Sequence, residues 1–242
     1  MANADWDSKW VGKGWRKLIP QRFRYGVLQG WERDIFLMLA ECLPERGTVL
    51  SVGCGRALVD YWLAAVWGAE VHLLDLSACL LVKVHRSFGR VAHQVHVGDA
   101  LKLPYGDNRF DVVWNEGVWE HFQDNEIYQG ISEMARVSRD YVVVDVPYAE
   151  CRPYVLAKQW LEQNGKWIYG LEVPKSSLRP YFDAAGLEFI EERPIGSECS
   201  CWNYINMVSD PSARQKIVDQ LTPEDFQIYP HIVAIGRCRN EG

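Results

Sequence analysis

The stretch VLSVGCGRALVDYW, residues 49–62, passes from an apolar run through Gly53 and Gly55 into a helical pattern. Glycines stand in such a turn when the backbone must approach a ligand closely. Asp75 follows 20 residues after Gly55 and ends a second apolar run. A carboxylate there can accept both hydroxyl protons of a ribose, and a third acid, Asp99, can accept from an adenine amino group. These residues predict a site for a ligand of the adenosine type.

Two other ligand classes fit this glycine pair less well. A nicotinamide-binding fingerprint requires the pattern G-x-G-x-x-G, but Leu58 stands where its third glycine would be. A phosphate-binding P-loop requires a Gly-Lys-Ser or Gly-Lys-Thr run, and the sequence contains neither. The glycine pair therefore favours neither a dinucleotide site nor a nucleoside-triphosphate loop.

Short apolar runs alternate with helical patterns along the chain, without repeats or low-complexity tracts. Five runs rich in β-branched residues and bounded by Gly, Asp or Pro predict strands, and two later runs predict two more. In chain order these seven are 48–53, 70–76, 93–99, 110–115, 140–147, 186–192 and 231–238. Apolar residues at helical spacing predict helices over 57–67, 77–88 and 124–137, the last with Asp124 as its N-cap.

This alternation predicts an α/β fold with a doubly wound, mostly parallel, seven-stranded Rossmann-like sheet and helices on both faces. We expect a single domain over residues 1–242. Its parts are a helical N-terminal cap or lid (1–48), a cofactor-binding core (49–147) and a C-terminal half (148–242) with an inserted segment near 193–230. Ligands of such sheets bind at the carboxyl ends of the strands, near the point where the strand order reverses.

Four sequence motifs follow one another over about residues 47–147. The first is VLSVGCGRA, the second is LLDLS, and the third and fourth together form the unbroken run GDALKLPYGDNRFDVVWNEGVWEHF. Their order and spacing resemble the first to fourth motifs of the class I S-adenosylmethionine-dependent methyltransferases, most closely the small-molecule branch. Each motif alone is loose, whereas the ordered set is specific. The resemblance implies S-adenosyl-L-methionine as cofactor and in-line transfer of its sulfonium methyl group to a small-molecule nucleophile.

The resemblance places Ser51, Gly53, Cys54 and Gly55 of the first motif in the cofactor site. Gly53 and Gly55 would pass the methionyl part of the cofactor, while Cys54 between them packs as a small hydrophobe. Ser51 stands where the family usually has an acid, so it can hydrogen-bond but cannot offset the charge of the cofactor's ammonium group. Ala57 stands where a third glycine is common, which is tolerable unless its φ is positive. We expect weaker cofactor binding as a result.

The later motifs supply the remaining cofactor contacts by the same resemblance. Asp75 would hold the ribose hydroxyls, with Leu76 packing on the adenine. Asp99 and Ala100 would contact the adenine edge, and Asn115 would lie beside the amino-acid end of the cofactor.

Glu120 and His121 end the run NEGVWEHF, residues 115–122. Some quinone-pathway O-methyltransferases of this superfamily bind a divalent metal through a Glu-x-x-Glu-His run, but Gly117 stands at its first position here and Glu116 is one residue early. Two hard ligands from adjacent residues make a poor site without a third, so we expect no metal. His121 is the candidate general base for an acceptor that carries a proton. Hydrogen-bonding support of the loop is the alternative role for both side chains.

Composition and net charge limit the classes of partner and the compartment that we expect for this protein. The net charge of -6 argues against general nucleic-acid binding, so we expect a small-molecule methyl acceptor and no nucleic-acid partner. The sequence contains no run of about 18 uncharged apolar residues, so we expect no membrane-spanning helix. The N-terminus lacks the apolar core of a signal peptide, and seven scattered cysteines fit reduced thiols, so we expect a cytoplasmic protein.

Residues 6–31 interleave six aromatic side chains with six Lys or Arg residues. Two interpretations stay open for this leader: a helical pad that covers a face of the sheet, or a lid over the carboxyl ends of the strands. A lid would exclude water from the transfer and could recruit an anionic acceptor through its cations.

Three classes of function remain at this point. Methyl transfer is the leading hypothesis, because it asks little of a protein beyond alignment and a base for a protonated nucleophile. Ser51 and Ala57 are the main support for the second, a catalytically weak or inactive cofactor-binding protein with a partner-binding or regulatory role. The third is a nicotinamide oxidoreductase, against which Leu58 is the main objection.

Overall fold

In the computed structural model, which describes residues 30–88 and 93–239, seven strands form one hydrogen-bonded sheet. In chain order they are β1 (Thr48–Val52), β2 (Glu70–Asp75), β3 (Gln94–Val97), β4 (Phe110–Glu116), β5 (Ser138–Pro147), β6 (Glu188–Ile195) and β7 (His231–Arg237). Their order across the sheet is β3-β2-β1-β4-β5-β7-β6. Among the described strands, β7 alone runs in the opposite direction to the other six. The predicted mostly parallel sheet is confirmed, and its order reverses between β1 and β4.

Eight α-helices lie within the described residues. They are α1 (Trp31–Cys42), α2 (Leu58–Trp62), α3 (Ala78–Phe88), α4 (Asp124–Val137), α5 (Arg152–Gln163), α6 (Arg179–Ala184), α7 (Glu198–Met207) and α8 (Pro211–Val218). Two 3₁₀ turns, Trp119–His121 and Pro223–Gln227, and a π-helical turn, Leu63–Trp67, complete the helical elements of the described residues. The helices predicted over 77–88 and 124–137 form within one residue of their expected bounds. The sequence patterns do not predict the four helices from α5 to α8.

Adjacent strand residues pack into two separate apolar clusters, as expected for side chains that alternate between the faces of a sheet. Val49 and Val112 pack in the cluster that contains residues of α1, α2 and α3. Leu50 and Val113 pack in the cluster that contains residues of α4 and α6. Burying one such side chain contributes roughly 1.5–3 kcal/mol relative to leaving it exposed. The helices therefore cover both faces of the sheet and leave the carboxyl edge of its parallel strands for a site.

The helix predicted over 57–67 has a different second half. Helix α2 ends at Trp62, and the chain continues as a π-helical turn, Leu63–Trp67. The turn closes because the N–H groups of Gly68 and Ala69 both donate to the Leu63 carbonyl. Apolar spacing identifies the buried side of a helix but not which carbonyl each N–H reaches, so the wider turn has no signature in the pattern.

The predicted N-cap of α4 is wrong by one residue. Gln123 is the N-cap, and its side chain and that of Glu126 form a reciprocal capping box. Asp124 is instead the first helical residue, and its carboxylate accepts from Lys175 Nζ at 2.9 Å and Tyr181 Oη at 2.7 Å. A charge-assisted bond to a lysine is stronger than a bond to a backbone N–H, so the acid is drawn away from the cap position.

The segment that follows β5 builds a small helical layer of its own. Helices α5, α7 and α8 share an apolar cluster that includes Ala157, Ile205 and Ile217. Strand β6 runs to Ile195, three residues beyond its predicted end, and the inserted segment before β7 holds α7 and α8. This layer brings residues of α7 beside the carboxyl edge of the sheet.

Helix α1 belongs to the predicted N-terminal cap (1–48). It buries Ile35, Met38 and Leu39 in the cluster beneath β1 and β2, so this part of the cap packs on the sheet. The choice between pad and lid concerns the leader, residues 6–31, of which 6–29 lie outside the described residues. The division of the chain into cap, core and C-terminal half stays a prediction. Within the described residues, none of the helices has both the length and the apolar character that a membrane crossing needs.

Candidate functional site

A cavity of about 460 Å³ lies at the carboxyl edge of the sheet, which is the volume range of small-ligand sites. It is lined by residues that follow β1, β2, β3 and β4, and by residues of β5, β7 and α7. Eight of the ten site residues predicted from the sequence line it: Gly53, Cys54, Gly55, Asp75, Leu76, Asp99, Ala100 and His121. We call the part lined by residues that follow β1, β2 and β3 the cofactor side. The acceptor side is the part lined by residues that follow β4, by β5, β7 and α7, by the first turn of α1 and by the loop before α6.

The glycine turn after β1 is held by backbone bonds to β2. Gly53 N–H and Cys54 N–H both donate to the Leu74 carbonyl, at 2.8 and 3.0 Å. Gly53 has φ 66°, and a Cβ there would lie 2.6 Å from Val118, so this position needs glycine for the turn and for packing. Gly55 has φ 50°, and the space that its Cβ would occupy is open. The turn therefore presents bare backbone to the cavity at Gly55.

Asp75 ends β2 and is tied to the glycine turn. Its Oδ2 accepts from Gly55 N–H at 3.1 Å, and its Oδ1 accepts from Ser77 N–H at 2.9 Å. An ionised carboxylate has about four lone-pair sites, so it can hold a backbone turn and a ligand hydroxyl together. Leu76, the next residue, is 61% exposed in the cavity wall. The fixed carboxylate and the apolar side chain beside it form the arrangement that a ribose and its base require.

Asp99 and Ala100 lie in the loop after β3 and not on the strand itself, which ends at Val97. Asp99 Oδ1 accepts from Leu101 N–H at 2.9 Å, and its backbone bridges to Lys102. The loop is thereby held against the cavity on the far side of Asp75 from the glycine turn. Cys54 lies on the near side, and burial raises the pKa of its thiol well above the usual value, so it stays protonated.

Ser51 does not line the cavity; it is buried in β1 behind the glycine turn. The carboxyl of Asp60 in α2 lies nearby; its Oδ1 accepts from Trp114 Nε1 at 2.9 Å, and its Oδ2 has no hydrogen-bond partner within the described residues. Burial raises the pKa of Asp60 to about 7, although the bond from Trp114 and the nearby Ser51 hydroxyl oppose the rise. Asp60 does not itself line the cavity, and no motif in the sequence marked it.

Asn115 is the other predicted residue that does not line the cavity. It is fully buried in β4 opposite Val144 of β5. Neither polar atom of its side chain has a hydrogen-bond partner within the described residues. Its predicted contact with the amino-acid end of the cofactor stays untested, and its neighbour Glu116 is the residue of β4 that reaches the cavity.

Glu116 connects β4 to the N-terminal helix. Its Oε1 accepts from Trp31 Nε1 at 2.8 Å, and the Trp31 indole stacks on His231 with ring centroids 5.0 Å apart. Burial raises the pKa of Glu116, and the nearby Asp145 raises it further. A second buried acid of the wall, Glu32, lies 3.9 Å from Arg56.

His231 and Asp145 form a buried pair at the start of β7 and the end of β5. His231 Nδ1 lies 3.0 Å from Asp145 Oδ2, and Nε2 lies 3.4 Å from Tyr204 Oη. Burial disfavours the imidazolium, but the attraction of Asp145 and of nearby glutamates outweighs it and raises the pKa of His231. This pair fixes the aromatic wall formed by Trp31 and Tyr204.

Glu120, His121 and Glu172 come together on the acceptor side, with one candidate ligand atom of each within 4.8 Å of the others. His121 Nδ1 contacts the Leu171 carbonyl, and Nε2 lies 3.6 Å from Glu120 Oε1. Glu172 Oε1 accepts from Tyr154 Oη at 2.5 Å. Sequence reasoning found Glu120 and His121 but missed Glu172, which follows 51 residues later in a loop without a pattern.

The two glutamates of this cluster are poorly disposed to ionise. Burial raises the pKa of Glu120 well above its usual value, and the neighbouring Glu172 adds to the shift. Burial also raises the pKa of Glu172, although the bond from Tyr154 opposes it. Two carboxyl groups that share a buried site favour a proton or a cation between them.

Comparison with known proteins agrees with these motifs. Residues 49–140 match the family model described as "Methyltransferase domain". A probable tocopherol O-methyltransferase of the chloroplast from Oryza sativa subsp. japonica is 30% identical over 195 residues, which are 78% of this chain and 44% of that protein. The chain spans less than half the length of the curated relatives that it matches.

Solved structures share the fold. A chain of the complex between the Haloferax volcanii Trm112 methyltransferase activator and its methyltransferase has a TM-score of 0.63 at 20% identity, over 88% of this chain and 90% of that one. Geranyl diphosphate C-methyltransferase from Streptomyces coelicolor A3(2), in complex with Mg²⁺, geranyl diphosphate and S-adenosyl-L-homocysteine, has a TM-score of 0.57 at 14% identity, over 86% and 77%. Residues 49–140 therefore carry a methyltransferase domain, and the chain shares the fold of the class I S-adenosylmethionine-dependent methyltransferases, whose cofactor is S-adenosyl-L-methionine.

Proposed function

We propose that this chain transfers the sulfonium methyl group of S-adenosyl-L-methionine to a nucleophilic atom of a small molecule. The observation that carries the proposal is the bond from Gly55 N–H to the Asp75 carboxylate in the wall of the cavity. It joins the glycine turn to the strand-end acid in the arrangement that an adenosine ligand requires at a topological switch point.

The cofactor side offers a contact for each part of the cofactor. Bare backbone at Gly55 leaves room for the methionyl chain, Asp75 holds the ribose hydroxyls, and Leu76 covers the adenine, whose amino edge faces Asp99 and Ala100. Asp60 lies behind this turn with a pKa of about 7. A carboxyl group with a pKa near 7 is only partly ionised at neutral pH. A cation that binds nearby lowers this pKa, so the cofactor's ammonium and sulfonium groups would favour the ionised form of Asp60.

The acceptor side suits a small molecule. Trp31, Phe122, Tyr169 and Tyr204 line it together with the acids described above, so an acceptor meets aromatic surface and polar groups in one enclosed space. The exposed apolar residues Ile168 and Leu171 flank Tyr169 in the loop that forms this wall. We infer that the acceptor is a small molecule and not a nucleic acid. The seven free cysteines agree with a reducing compartment such as the cytoplasm.

The chemistry of the proposed step is a displacement at the methyl carbon. The acceptor's nucleophile forms a bond to the methyl group, and the sulfonium sulfur leaves with the electron pair as a neutral thioether. The protein aligns the two molecules and excludes water. Where the acceptor carries a proton, His121 Nε2 accepts it, because its Nδ1–H is engaged with the Leu171 carbonyl.

Calorimetric titration with S-adenosyl-L-methionine and, separately, with NADH tests the cofactor assignment. Saturable binding of the first and none of the second is expected. Incubation with methyl-labelled cofactor and an extract of the source organism, followed by mass spectrometry, then identifies the acceptor. Cofactor binding without any labelled product would favour the alternative of a catalytically inactive binding protein. Binding of NADH alone would contradict the proposal.

A further inference from the structure

We propose that Glu120, His121 and Glu172 form a binding site for a divalent cation of the Mn²⁺ or Zn²⁺ type on the acceptor side of the cavity. The site goes beyond the proposed methyl transfer and is carried by the geometry of these three side chains. They come from two separate segments, the 3₁₀ turn Trp119–His121 after β4 and the loop that precedes α6.

The two segments are fastened together at the site. Val173 N–H donates to the Glu120 carbonyl at 2.8 Å. The His121 ring contacts the Leu171 carbonyl, so backbone atoms on either side of Glu172 meet both residues of the turn. A metal site requires ligands held in place before the ion arrives, and these contacts supply that fixation.

The orientation of His121 is that of a metal ligand. Because Nδ1 faces a carbonyl oxygen, it must carry the proton and donate it, which leaves the lone pair of the neutral ring on Nε2. Nε2 is the atom that faces Glu120, at 3.6 Å from Oε1. Histidines that bind metals regularly donate their other ring N–H to a backbone carbonyl in this way.

The two carboxylates complete the donor set. Glu120 is 3% exposed, lines the cavity, and its Oε2 has no hydrogen-bond partner within the described residues. Such a buried acceptor is costly to leave unsatisfied. Glu172 receives a hydrogen bond from Tyr154, the kind of supporting contact that ligating carboxylates have. The unsatisfied oxygen is thus an independent sign that a ligand belongs in the cluster.

Neighbouring basic groups do not take the place of the cation. Lys158 and His231 both act on Glu172 electrostatically. Each is hydrogen-bonded to another acid, Lys158 to Glu162 and His231 to Asp145. Two buried carboxyl groups and one imidazole therefore face one another, and no basic side chain of the described residues is hydrogen-bonded between them.

One separation within the cluster fits a metal ion better than an ammonium group, and all three candidate ligand atoms lie within 4.8 Å of one another. Ligand atoms about 2.1–2.2 Å from one tetrahedral cation lie about 3.4–3.6 Å apart. Acceptors about 2.9 Å from one ammonium nitrogen lie about 4.7 Å apart in the same geometry. The separation of 3.6 Å between Glu120 Oε1 and His121 Nε2 agrees with the metal. Mixed imidazole and carboxylate donors suit Mn²⁺ or Zn²⁺ better than the all-oxygen preference of Ca²⁺.

Three protein ligands leave a coordination position for another molecule, as in catalytic zinc sites. On the acceptor side, a bound cation would orient an oxygen or nitrogen of the acceptor and lower the pKa of its proton. In that arrangement His121 acts as a ligand and the proton passes to solvent or another group. The role of His121 as a base and its role as a ligand are therefore alternatives that metal binding separates.

The test is a titration of the chelator-treated full chain with MnCl₂, with free Mn²⁺ measured by electron paramagnetic resonance. We expect one Mn²⁺ per chain, competed by Zn²⁺, and binding weakened at least tenfold in Glu172→Gln and Glu120→Gln. Glu32→Gln is the matched control, because Glu32 is another buried acid of the cavity wall outside the cluster. Its Mn²⁺ affinity should equal that of the wild type.

Two further measurements keep the result unambiguous. Tyr154→Phe leaves all three ligands in place but removes the bond to Glu172, so it should weaken Mn²⁺ binding and report on the site even where a glutamine variant does not fold. Calorimetry with S-adenosyl-L-methionine on the same samples reports on the cofactor side separately. Absence of stoichiometric Mn²⁺ binding by a wild type that binds the cofactor would overturn the metal site alone. Equal Mn²⁺ binding by wild type, Glu172→Gln and Glu120→Gln would overturn it as well.

Discussion

Gly55 donates its backbone N–H to the Asp75 carboxylate across 3.1 Å, so the turn after β1 and the end of β2 are one unit. The same carboxylate accepts from Ser77 N–H, at the start of the segment that leads into α3. One acid thus fixes the conformation of two loops that would face the cofactor. Removal of this carboxylate should weaken cofactor binding and also loosen the glycine turn.

The first prediction concerns this acid. Asp75→Ala should weaken S-adenosyl-L-methionine binding by roughly 1.5–3 kcal/mol, which is about a 10- to 150-fold rise in Kd, because charge-assisted hydrogen bonds are lost. Isothermal titration calorimetry measures it. Asp183→Ala, which removes an exposed acid of α6, is the control and should leave Kd unchanged. A folded Asp75→Ala protein with wild-type affinity would sink the assignment of the ribose contact.

The second prediction separates strain from contact at the glycine turn. Gly55 and Gly68 both have positive φ, at 50° and 75°. A Cβ at Gly68 would meet no atom within 4 Å, and one at Gly55 would meet only the Gly53 carbonyl oxygen, at 4.0 Å. Ala at either position should cost about 1–2 kcal/mol of stability through backbone strain. Only Gly55→Ala should also weaken cofactor binding, by tenfold or more, because only Gly55 lines the cavity.

Thermal melting and calorimetry on both variants check this pair. If Gly55→Ala binds the cofactor as tightly as Gly68→Ala does, the glycines serve the turn alone.

Ala57 provides the third prediction. It has φ 51° and ψ 40°, the left-handed region that a third glycine would occupy without strain. Ala57→Gly should stabilise the protein by roughly 0.5–1 kcal/mol, the relief of strain less the greater backbone entropy of glycine. Urea unfolding should show a higher midpoint with the same slope. Asn108→Gly, at φ 53°, is the matched control and should gain less, since asparagine tolerates this region. A lower midpoint for Ala57→Gly would contradict the strain.

The fourth prediction uses the raised pKa of Asp60, which is about 7 in the folded chain against an ordinary value of 3.8. Between these two values the folded state binds a proton that the unfolded state has released. Stability therefore falls as pH rises from about 4 to 7 and levels off above. Asp60→Asn keeps an acceptor for Trp114 Nε1 and should remove this contribution, so its unfolding free energy should decline less with pH.

Urea unfolding of wild type and Asp60→Asn at a series of pH values measures the difference between the two curves. Curves that stay parallel from pH 4 to pH 8 would show that Asp60 ionises normally in the folded chain.

The fifth prediction concerns His121. His121→Ala should lower kcat with the identified acceptor about 10²–10⁴-fold, whether the side chain accepts a proton or holds a cation. The Kd of S-adenosyl-L-methionine should change little, because His121 follows β4 whereas Asp75 ends β2, two strands away across the sheet. His85→Ala, an exposed position in α3, should leave both constants unchanged. Full turnover by His121→Ala would leave only the loop-supporting role.

Sequence patterns predict most of the scaffold and about half of the chemistry. Apolar runs locate every strand, and β1, β2, β4 and β7 are buried on both faces along most of their length. They also bring Gly55, Asp75 and His121 together, since the carboxyl ends of parallel strands meet at one edge. The sequence patterns missed Asp60 and Glu172 because tertiary packing sets the partners of these two acids. Asp60 lies beside Ser51 and Trp114, and Glu172 lies beside a turn 51 residues earlier in the chain. Neither acid stands in a local pattern that distinguishes it from a solvated side chain.

The indole of Trp31 decides where the chain can be shortened at its N-terminus without disturbing the site. Its bond to Glu116 and its stack on His231 make the first turn of α1 part of the acceptor wall. A shortened chain that begins at Gly30 keeps this wall and removes only what precedes it. One that begins at Glu32 opens the wall as well, and its loss of turnover would say nothing about a covering role for residues 6–29. Two truncations that differ by two residues thus separate the architecture of the site from the contribution of the leader.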